Sequence, residues 1–335
     1  MAIDILSVQP HKVSRSLEGY TIMFYGEPKS GKTTIASKFD KALILGFEIG
    51  YLAIPGVMAQ PISRWSEFKQ VIKQLKAEEA HEKFSTIVVD TADIAYDLCE
   101  KYICNKNEVS EIGDIPYGGG FAQAAKEYDE VLRTIPQMGY GLVLISHSQD
   151  KTFKNEYGQE YNQIVPTLAT RPRNIVDRMS DIIGYSTIVE DAEGNAKTVL
   201  YMRGTPRFIA GSRFKYTPDK IDFSYENLVN AIADAVDMQA KESGGELITD
   251  EKTTEHNVAP MASFEDQMAE LKKLVTQIQK SVGKDEFKNT WTAKITAITD
   301  KYLGVGKKIN DCTAAQSEQL TLILDDLKDL VGEGL

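Results

Sequence analysis

The apolar residues of this chain fall into short blocks separated by amphipathic stretches, and the two alternate from about residue 15 to residue 236. "YTIMFYG" (20–26), "KALILGFE" (41–48), "FSTIVVD" (84–90) and "GLVLISH" (141–147) are β-rich runs of strand length. They are apolar throughout rather than at every second position, as strands buried on both faces require. Between them, "SRWSEFKQVIKQLKAEE" (63–79) sets Trp65, Phe68, Ile72 and Leu75 at helical spacing. Further helices are expected from Lys32 to about Phe39, at 93–104 and at 121–135. Strands alternating with helices predict an α/β fold built on a mostly parallel sheet.

After Asp181 the pattern changes. "DIIGYSTIVE", the turn "DAEGN" and "AKTVLYMRG" read as a late antiparallel hairpin, "SRFKY" as a further strand, and Tyr225 to about Met238 as a closing helix. Residues 241–262 are polar and aperiodic, the pattern of a flexible linker between a core domain (1–240) and a tail (263–335). The tail carries three apolar stripes at helical spacing: Phe264, Met268, Leu271, Leu274 and Ile278; then Phe287, Trp291, Ile295, Ile298 and Tyr302; then Leu320, Ile323, Leu324, Leu327 and Val331. Thr313 with Gln316 fits a capping box ahead of the third. These stripes predict a C-terminal helical bundle whose apolar residues are core rather than a ligand site.

The first strand runs into "GEPKSGKTT", and Gly26 to Thr33 fits G-x-x-x-x-G-K-[ST]. Glycines let a backbone curl its N–H groups around phosphate oxygens, and the following helix points its positive end at the same anion. Gly26, Glu27, Pro28, Lys29, Ser30, Gly31, Lys32, Thr33 and Thr34 are thus the candidate nucleotide cradle. Lys32 is expected to reach the β- and γ-phosphates, and the Thr33 hydroxyl to ligate Mg²⁺. Asp90 ends the strand "TIVVD", where a carboxylate can hold the water shell of that ion; a helix-capping Asp is the plainer alternative.

Hydrolysis needs a group that orients or deprotonates water. The residue after Asp90 is Thr91, so the base is sought elsewhere. Glu48 ends the second strand, on the rim where parallel strands present ligands, with Asp93 in reserve. His147 ends the fourth strand on that rim and is a candidate γ-phosphate sensor, with Ser146 and Gln149 beside it. A solvated Glu and a structural His are the alternatives.

Composition narrows the partners. The 335 residues carry a net charge of −11, so nucleic acid would have to meet local basic groups. One basic series exists: Arg171, Arg173, Arg178, Lys197, Arg203, Arg207, Arg213, Lys215 and Lys220. Three cysteines, Cys99, Cys104 and Cys312, make no disulfide framework and are expected as free thiols. No apolar run approaches the ~20 residues of a membrane helix, and the first residues lack the order of a signal peptide. A cytoplasmic protein is the expectation.

Together, "GEPKSGKTT", Glu48, "TIVVDTAD", "IPYGGGFAQAAKEYDEVLRTI", "LISHSQDK" and "AGSRFKYTP" resemble the RecA-like P-loop ATPase core. They resemble more closely a group of phage nucleotide-binding proteins that includes single-strand-annealing recombination ATPases. The resemblance spans about residues 15–236. It implies ATP and Mg²⁺ as cofactors, Glu48 as water activator, and His147 as the link from ATP to a DNA-binding loop at about Ser148–Pro166. Lys151, Phe153, Lys154 and Tyr157 are the candidate DNA contacts there, with Tyr161 a further stacking candidate. Pro116–Gly120 falls near a first DNA loop. Such proteins assemble head to tail, with a neighbour's cation touching the nucleotide; Arg203, Arg207 and Arg213 are candidates, Arg213 first. The loop from Ser148 to Pro166 has a net charge of −1, which weakens phosphate attraction.

The implied function is ATP hydrolysis coupled to single-stranded DNA in phage recombination or replication, as a homo-oligomer. The alternative is an ATP-gated adaptor, or a helicase or loader, that turns over slowly and recruits a single-strand-binding protein or other replication proteins through the tail. In the tail, Lys301, Lys307 and Lys308 are possible DNA contacts or a plain solvated helix end. A small-molecule kinase would need an acceptor pocket and an arginine-bearing lid, and Glu48 fits water activation better.

Overall fold

Alternate side chains of the buried strands feed two cores, one on each face of a central sheet, which is why those strands read as unbroken apolar runs. Met23, Tyr25, Ile87, Val89, Leu142 and Leu144 pack on one face under Trp65, Phe68 and Tyr128. Ile22, Phe24, Ile44, Val88, Val143 and Ile145 pack on the other with Leu228, Ile232 and Val236. The computed structural model describes residues 6, 8, 10–190, 193–242, 244–245, 247–252 and 263–334.

Strand β1 (Val13–Ser14) precedes the loop strand β2 (Thr21–Gly26), whose six residues are all buried. The glycine loop feeds helix α1 (Lys32–Ala36), and β3 (Ala42–Gly46) follows. An edge strand β4 (Met58–Pro61) leads to α2 (Trp65–Gln74), α3 (Glu78–Lys83) and β5 (Thr86–Asp90). Helices α4 (Ala92–Lys106) and α5 (Gly119–Gln137) come next. The long β6 (Gly141–Lys154) leaves the sheet and returns as β7 (Glu160–Pro166), before α6 (Thr170–Met179). Strands β8 (Ile182–Glu190), β9 (Ala196–Tyr201), β10 (Gly211–Ser212) and β11 (Lys220–Asp222) complete the sheet. Helix α7 (Tyr225–Glu242) closes it, and β12 (Ile248–Thr249) pairs in parallel with β1.

The sheet order is β11-β9-β8-β2-β6-β5-β3-β4. From β8 to β4 every neighbouring pair is parallel, and β9 and β11 are antiparallel. This is the expected α/β core with a mostly parallel sheet and late antiparallel strands. Because β6 lies between β2 and β5, the register sets Gly26 against His147, Ile145 against Asp90, and Asp90 against Gly46. One rim therefore gathers the glycine loop, His147 and Asp90.

Several elements differ from the sequence reading. The helix expected to run to Phe39 stops at Ala36, so a single turn and a half follows the loop. The stretch 63–79 is two helices, not one. β4 was not foreseen: "MAQP" has no apolar run, and its Pro61 suits a sheet edge. In "SRFKY" only Ser212, with Gly211, is strand; it pairs with β8. The turn "DAEGN" begins at residues 191–192, which lie outside the described residues.

The largest departure is at 148–166, expected as a loop. It is a β-hairpin, paired from Ser148↔Pro166 to Lys154↔Glu160. Asn155 Oδ1 accepts from the backbone N–H of Tyr157 and Gln159, and Gly158 at φ 77 completes the turn. Polar side chains on both strands hide this pairing from any apolar periodicity. At ~3.3 Å per residue the hairpin is about 23 Å long.

The chain divides into two compact units, 9–258 and 259–335 with 1–8. Of the expected linker 241–262, Lys241 and Glu242 belong to α7, and Ile248–Thr249 pair with the start of the core. Residues 253–262 lie outside the described residues. The tail unit comprises α8 (Phe264–Val282), the short α9 (Lys284–Glu286), a π turn (Phe287–Trp291), α10 (Thr292–Leu303) and α11 (Ser317–Gly334). Leu271, Leu320, Ile323, Leu324 and Leu327 form its core, as the stripes predict. Gln267 is buried among them, its amide donating to Ser317 O and Thr321 Oγ1 and accepting from Ser317 Oγ. The Thr313–Gln316 capping box forms ahead of α11.

Candidate functional site

The glycine loop is held from both sides. Gly26 adopts φ 156, and a Cβ there would lie 2.1 Å from the Ser186 carbonyl oxygen on β8, so only glycine fits. Ser186 is fully buried, and its Oγ is 2.8 Å from Ser30 Oγ. Lys29 and Gly31 take left-handed conformations, at φ 66 and 82, which curl the loop before α1. Glu27, Pro28, Lys29 and Thr34 are exposed along it. Helix α1 behind the loop is only five residues long.

Lys32 is 5% exposed. Its Nζ donates to Gly26 O at 2.9 Å, Glu27 O at 2.7 Å and Ser30 Oγ at 3.3 Å, spanning the loop it would share with a phosphate. Burial pulls its pKa down to about 8, against the pull of Asp90, Asp93 and Glu48 nearby.

Thr33 Oγ1 donates to Asp90 Oδ2 at 2.7 Å, joining the two residues expected at Mg²⁺ across 57 positions of sequence. Burial raises the Asp90 pKa, and the Thr33 hydrogen bond opposes it. Gly50 faces the same pair: a Cβ there would lie 3.8 Å from Thr33 Oγ1 and 3.9 Å from Asp90 Oδ2. A hydroxyl and a buried carboxylate are a fitting donor pair for Mg²⁺, which takes few protein oxygens and keeps its waters, and Gly50 puts no side chain beside them.

Glu48 lies two residues beyond β3. The backbone N–H groups of Phe47 and Glu48 both donate to Asp90 O, at 2.7 and 3.0 Å, tying its loop to the end of β5. Its carboxylate is half exposed and lies 3.1 Å from His147 Nε2. The two rim residues inferred separately are thus in contact. His147 Nδ1 is buried and has no hydrogen-bond partner among the described residues. Asp93, the reserve base, accepts from Thr167 Oγ1 instead, and its other oxygen is buried with no partner among the described residues. Thr167 also donates its backbone N–H to His147 O at 2.9 Å, and its Oγ1 is 3.2 Å from Ser146 Oγ. Gln149 donates to Pro166 O. Thr167 and Ser186 escaped the sequence reading because neither lies in a motif; only the folded register brings them to the loop.

On the hairpin, Lys151 and Phe153 share a face with Tyr161. The two rings stack with centroids 5.8 Å apart, and Lys151 Nζ sits 5.7 Å from the Phe153 ring centre. Lys154 falls on the opposite face, 3.5 Å from Glu160. Tyr157 is at the tip and 79% exposed. In the Pro116–Gly120 segment Tyr117 is fully exposed, and nearby Arg171 lies over Phe121.

The basic series does not form one patch. Arg173, Lys197 and Lys215 pair with Asp177, Asp222 and Glu242. Arg203 donates to the carbonyls of Phe214, Lys215 and Thr217, so it holds a turn rather than waiting for a neighbour's nucleotide. Arg207 is exposed beside the hairpin root, its carbonyl accepting from Ile164 N. Arg213 pairs with Asp181 at 2.9 Å, at the opposite end of β2 from the loop. In the tail, Lys301 pairs with Asp326. Cys99 and Cys104 are buried free thiols, and Cys312 is free and partly exposed.

A phosphate loop, a Thr–Asp pair and a parallel rim define a P-loop NTPase. An AAA-domain family (AAA_24) matches residues 18–214, and the chain belongs to that family. It is 32% identical over 342 residues to an SPbeta prophage-derived uncharacterized protein, YorG, of Bacillus subtilis (strain 168), covering 99% of this chain and 100% of that one. Among solved structures it is similar to the flagellar accessory protein FlaH of Methanocaldococcus jannaschii, at 9% identity and a TM-score of 0.31, over 62% of this chain and 85% of that one. Among the described residues, no helix is long and apolar enough to cross a membrane.

Proposed function

We propose that this chain is an Mg²⁺-dependent ATPase that acts on single-stranded DNA in phage recombination or replication, assembled head to tail. The observation that carries the reading is the continuity of β6. The strand that presents His147 beside Glu48 runs without a break into a hairpin bearing Lys151, Phe153 and Tyr161 on one face. Aromatic rings with a cation beside them suit stacking on unpaired bases, which needs no net charge. The prophage origin of the relative supports the phage setting.

In this reading the loop N–H groups and Lys32 bind the β- and γ-phosphates. Thr33 and Asp90 would hold Mg²⁺, whose charge would offset that of the phosphates. Glu48 orients the attacking water, and His147 holds the Glu48 carboxylate toward it. Arg213, which pairs with Asp181 at the far end of β2, is the first candidate for the cation that meets a neighbour's nucleotide. The tail bundle binds a single-strand-binding protein or another replication protein.

The test is ATP turnover by the pure protein with and without single-stranded DNA, beside Glu48→Gln. DNA-stimulated turnover that the variant loses is the expected result. Slow turnover indifferent to DNA would replace this reading with that of an ATP-gated adaptor or helicase loader. One observation favours that second reading: Asp150, Glu156 and Glu160 outnumber the two lysines of the hairpin.

A further inference from the structure

Three arginines from three separate elements meet at the end of β2 remote from the glycine loop. Arg133 comes from α5, Arg178 from α6, and Arg213 from just after β10. With Pro136, Met179 and Asp181 they line a cleft of about 190 Å³. Roughly 17 Å of strand, from Thr21 to Gly26, separates it from the phosphate loop.

The carboxylates at this cleft are already engaged. Asp181 Oδ1 accepts from Arg213 Nη1 at 2.9 Å, and its Oδ2 accepts from Thr21 N at 2.8 Å. Asp129 accepts from Arg133 Nε at 2.6 Å. Arg213 Nη2 donates to Arg178 O at 2.7 Å. Among the described residues, no carboxylate pairs with the Arg178 guanidinium, which is exposed. Three arginines and one aspartate thus line the cleft, in a chain whose net charge is −11.

A packing role accounts for Arg213, which braces Asp181. It does not account for Arg178, whose side chain makes no ion pair among the described residues. Guanidinium groups are planar forks that match phosphate oxygens two at a time and stay charged at any working pH. Converging forks on one small cleft suit an anion with many oxygens better than a single carboxylate. We propose that this cleft is a second anion site that binds a phosphoanhydride, the di- or triphosphate end of a nucleotide. The source is free nucleotide or the nucleotide held in the loop of a second copy. The proposal does not rest on any action on DNA.

Calorimetric titration of inorganic pyrophosphate into the full-length Lys32→Ala protein tests it, because the front loop is then disabled. One pyrophosphate bound per chain is expected. Adding Arg178→Ala or Arg133→Ala to that variant should weaken binding roughly tenfold or more, as loss of a charge-assisted hydrogen bond requires. Arg178→Lys, which keeps the charge without the fork, should fall between. Sedimentation of the wild-type protein with ATP separates the sources. Association that Arg178→Ala removes assigns the site to a second copy's nucleotide, and pyrophosphate binding without ATP-driven association assigns it to free nucleotide. The proposal is overturned if Lys32→Ala binds no pyrophosphate and association ignores Arg178, or if binding persists unchanged in both arginine variants. Failure of the glycine loop itself would show separately, as equal ATP affinity in wild type and Lys32→Ala.

Discussion

The two ends of β2 handle charge in opposite ways. At Gly26 the groups come from one continuous segment: a curled loop, Lys32 bent back on it, and Thr33 one residue on. Lys32 there is buried, and carboxylates surround it. At Thr21 the cations come from residues 133, 178 and 213, all at least partly exposed, and one aspartate lines the cleft with them. The first arrangement suits a ligand that must be gripped, dehydrated and worked on. The second suits one that docks and leaves. A motif within one segment also announces itself in sequence, whereas a site assembled from three elements does not.

The largest effect that could break this contrast is at Glu48. Glu48→Gln should leave ATP bound while lowering single-turnover hydrolysis by about 10²–10⁴-fold, the usual contribution of a positioned base. Normal turnover would remove the front end's claim to chemistry through Glu48. Next, Lys32→Ala should weaken ATP binding by about 10²-fold in a direct binding assay, since a buried ammonium facing phosphate makes strong charge-assisted bonds.

A pH series sharpens the contrast further. Burial lowers the Lys32 pKa to about 8 in the free protein, and phosphate binds its charged form. ATP affinity should therefore be level below pH 8 and fall as pH rises above it, by up to about tenfold per unit. Calorimetry in buffers of different ionisation enthalpy at pH 9 should detect proton uptake on binding. A further test belongs to the hairpin. Phe153→Ala should weaken single-stranded DNA binding by about 1–3 kcal/mol, the range for one stacking ring. Lys154→Ala, on the opposite face and paired with Glu160, should change it less. Equal losses in fluorescence titrations would contradict the one-sided face.

The parallel sheet and the glycine loop were legible because burial on both faces leaves long apolar runs and because "GEPKSGKTT" is contiguous. Glu48 and His147 could be placed on the rim from strand ends alone. Their mutual contact was not legible, since it depends on how the Phe47–Glu48 backbone hooks onto Asp90 O. The hairpin was missed because its pairing is stabilised by backbone hydrogen bonds and the Asn155 turn, which leave no apolar period. Thr167 and Ser186 are ordinary residues by type, and only register makes them supports of the site. Proximity in sequence misled as well: Arg203 stands among the other arginines of the series, yet it caps three carbonyls of the 214–217 turn.

The length of the β6–β7 hairpin gives it gearing. Its root is gripped at Thr167, within hydrogen-bonding distance of both Asp93 and the strand that carries His147, and its tip is free of the sheet. An arm of about 23 Å turned by ~5° at its root swings its tip by roughly 2 Å. A displacement at the root too small to break its hydrogen bonds would become, at Tyr157, a stroke comparable to more than half the spacing between stacked bases.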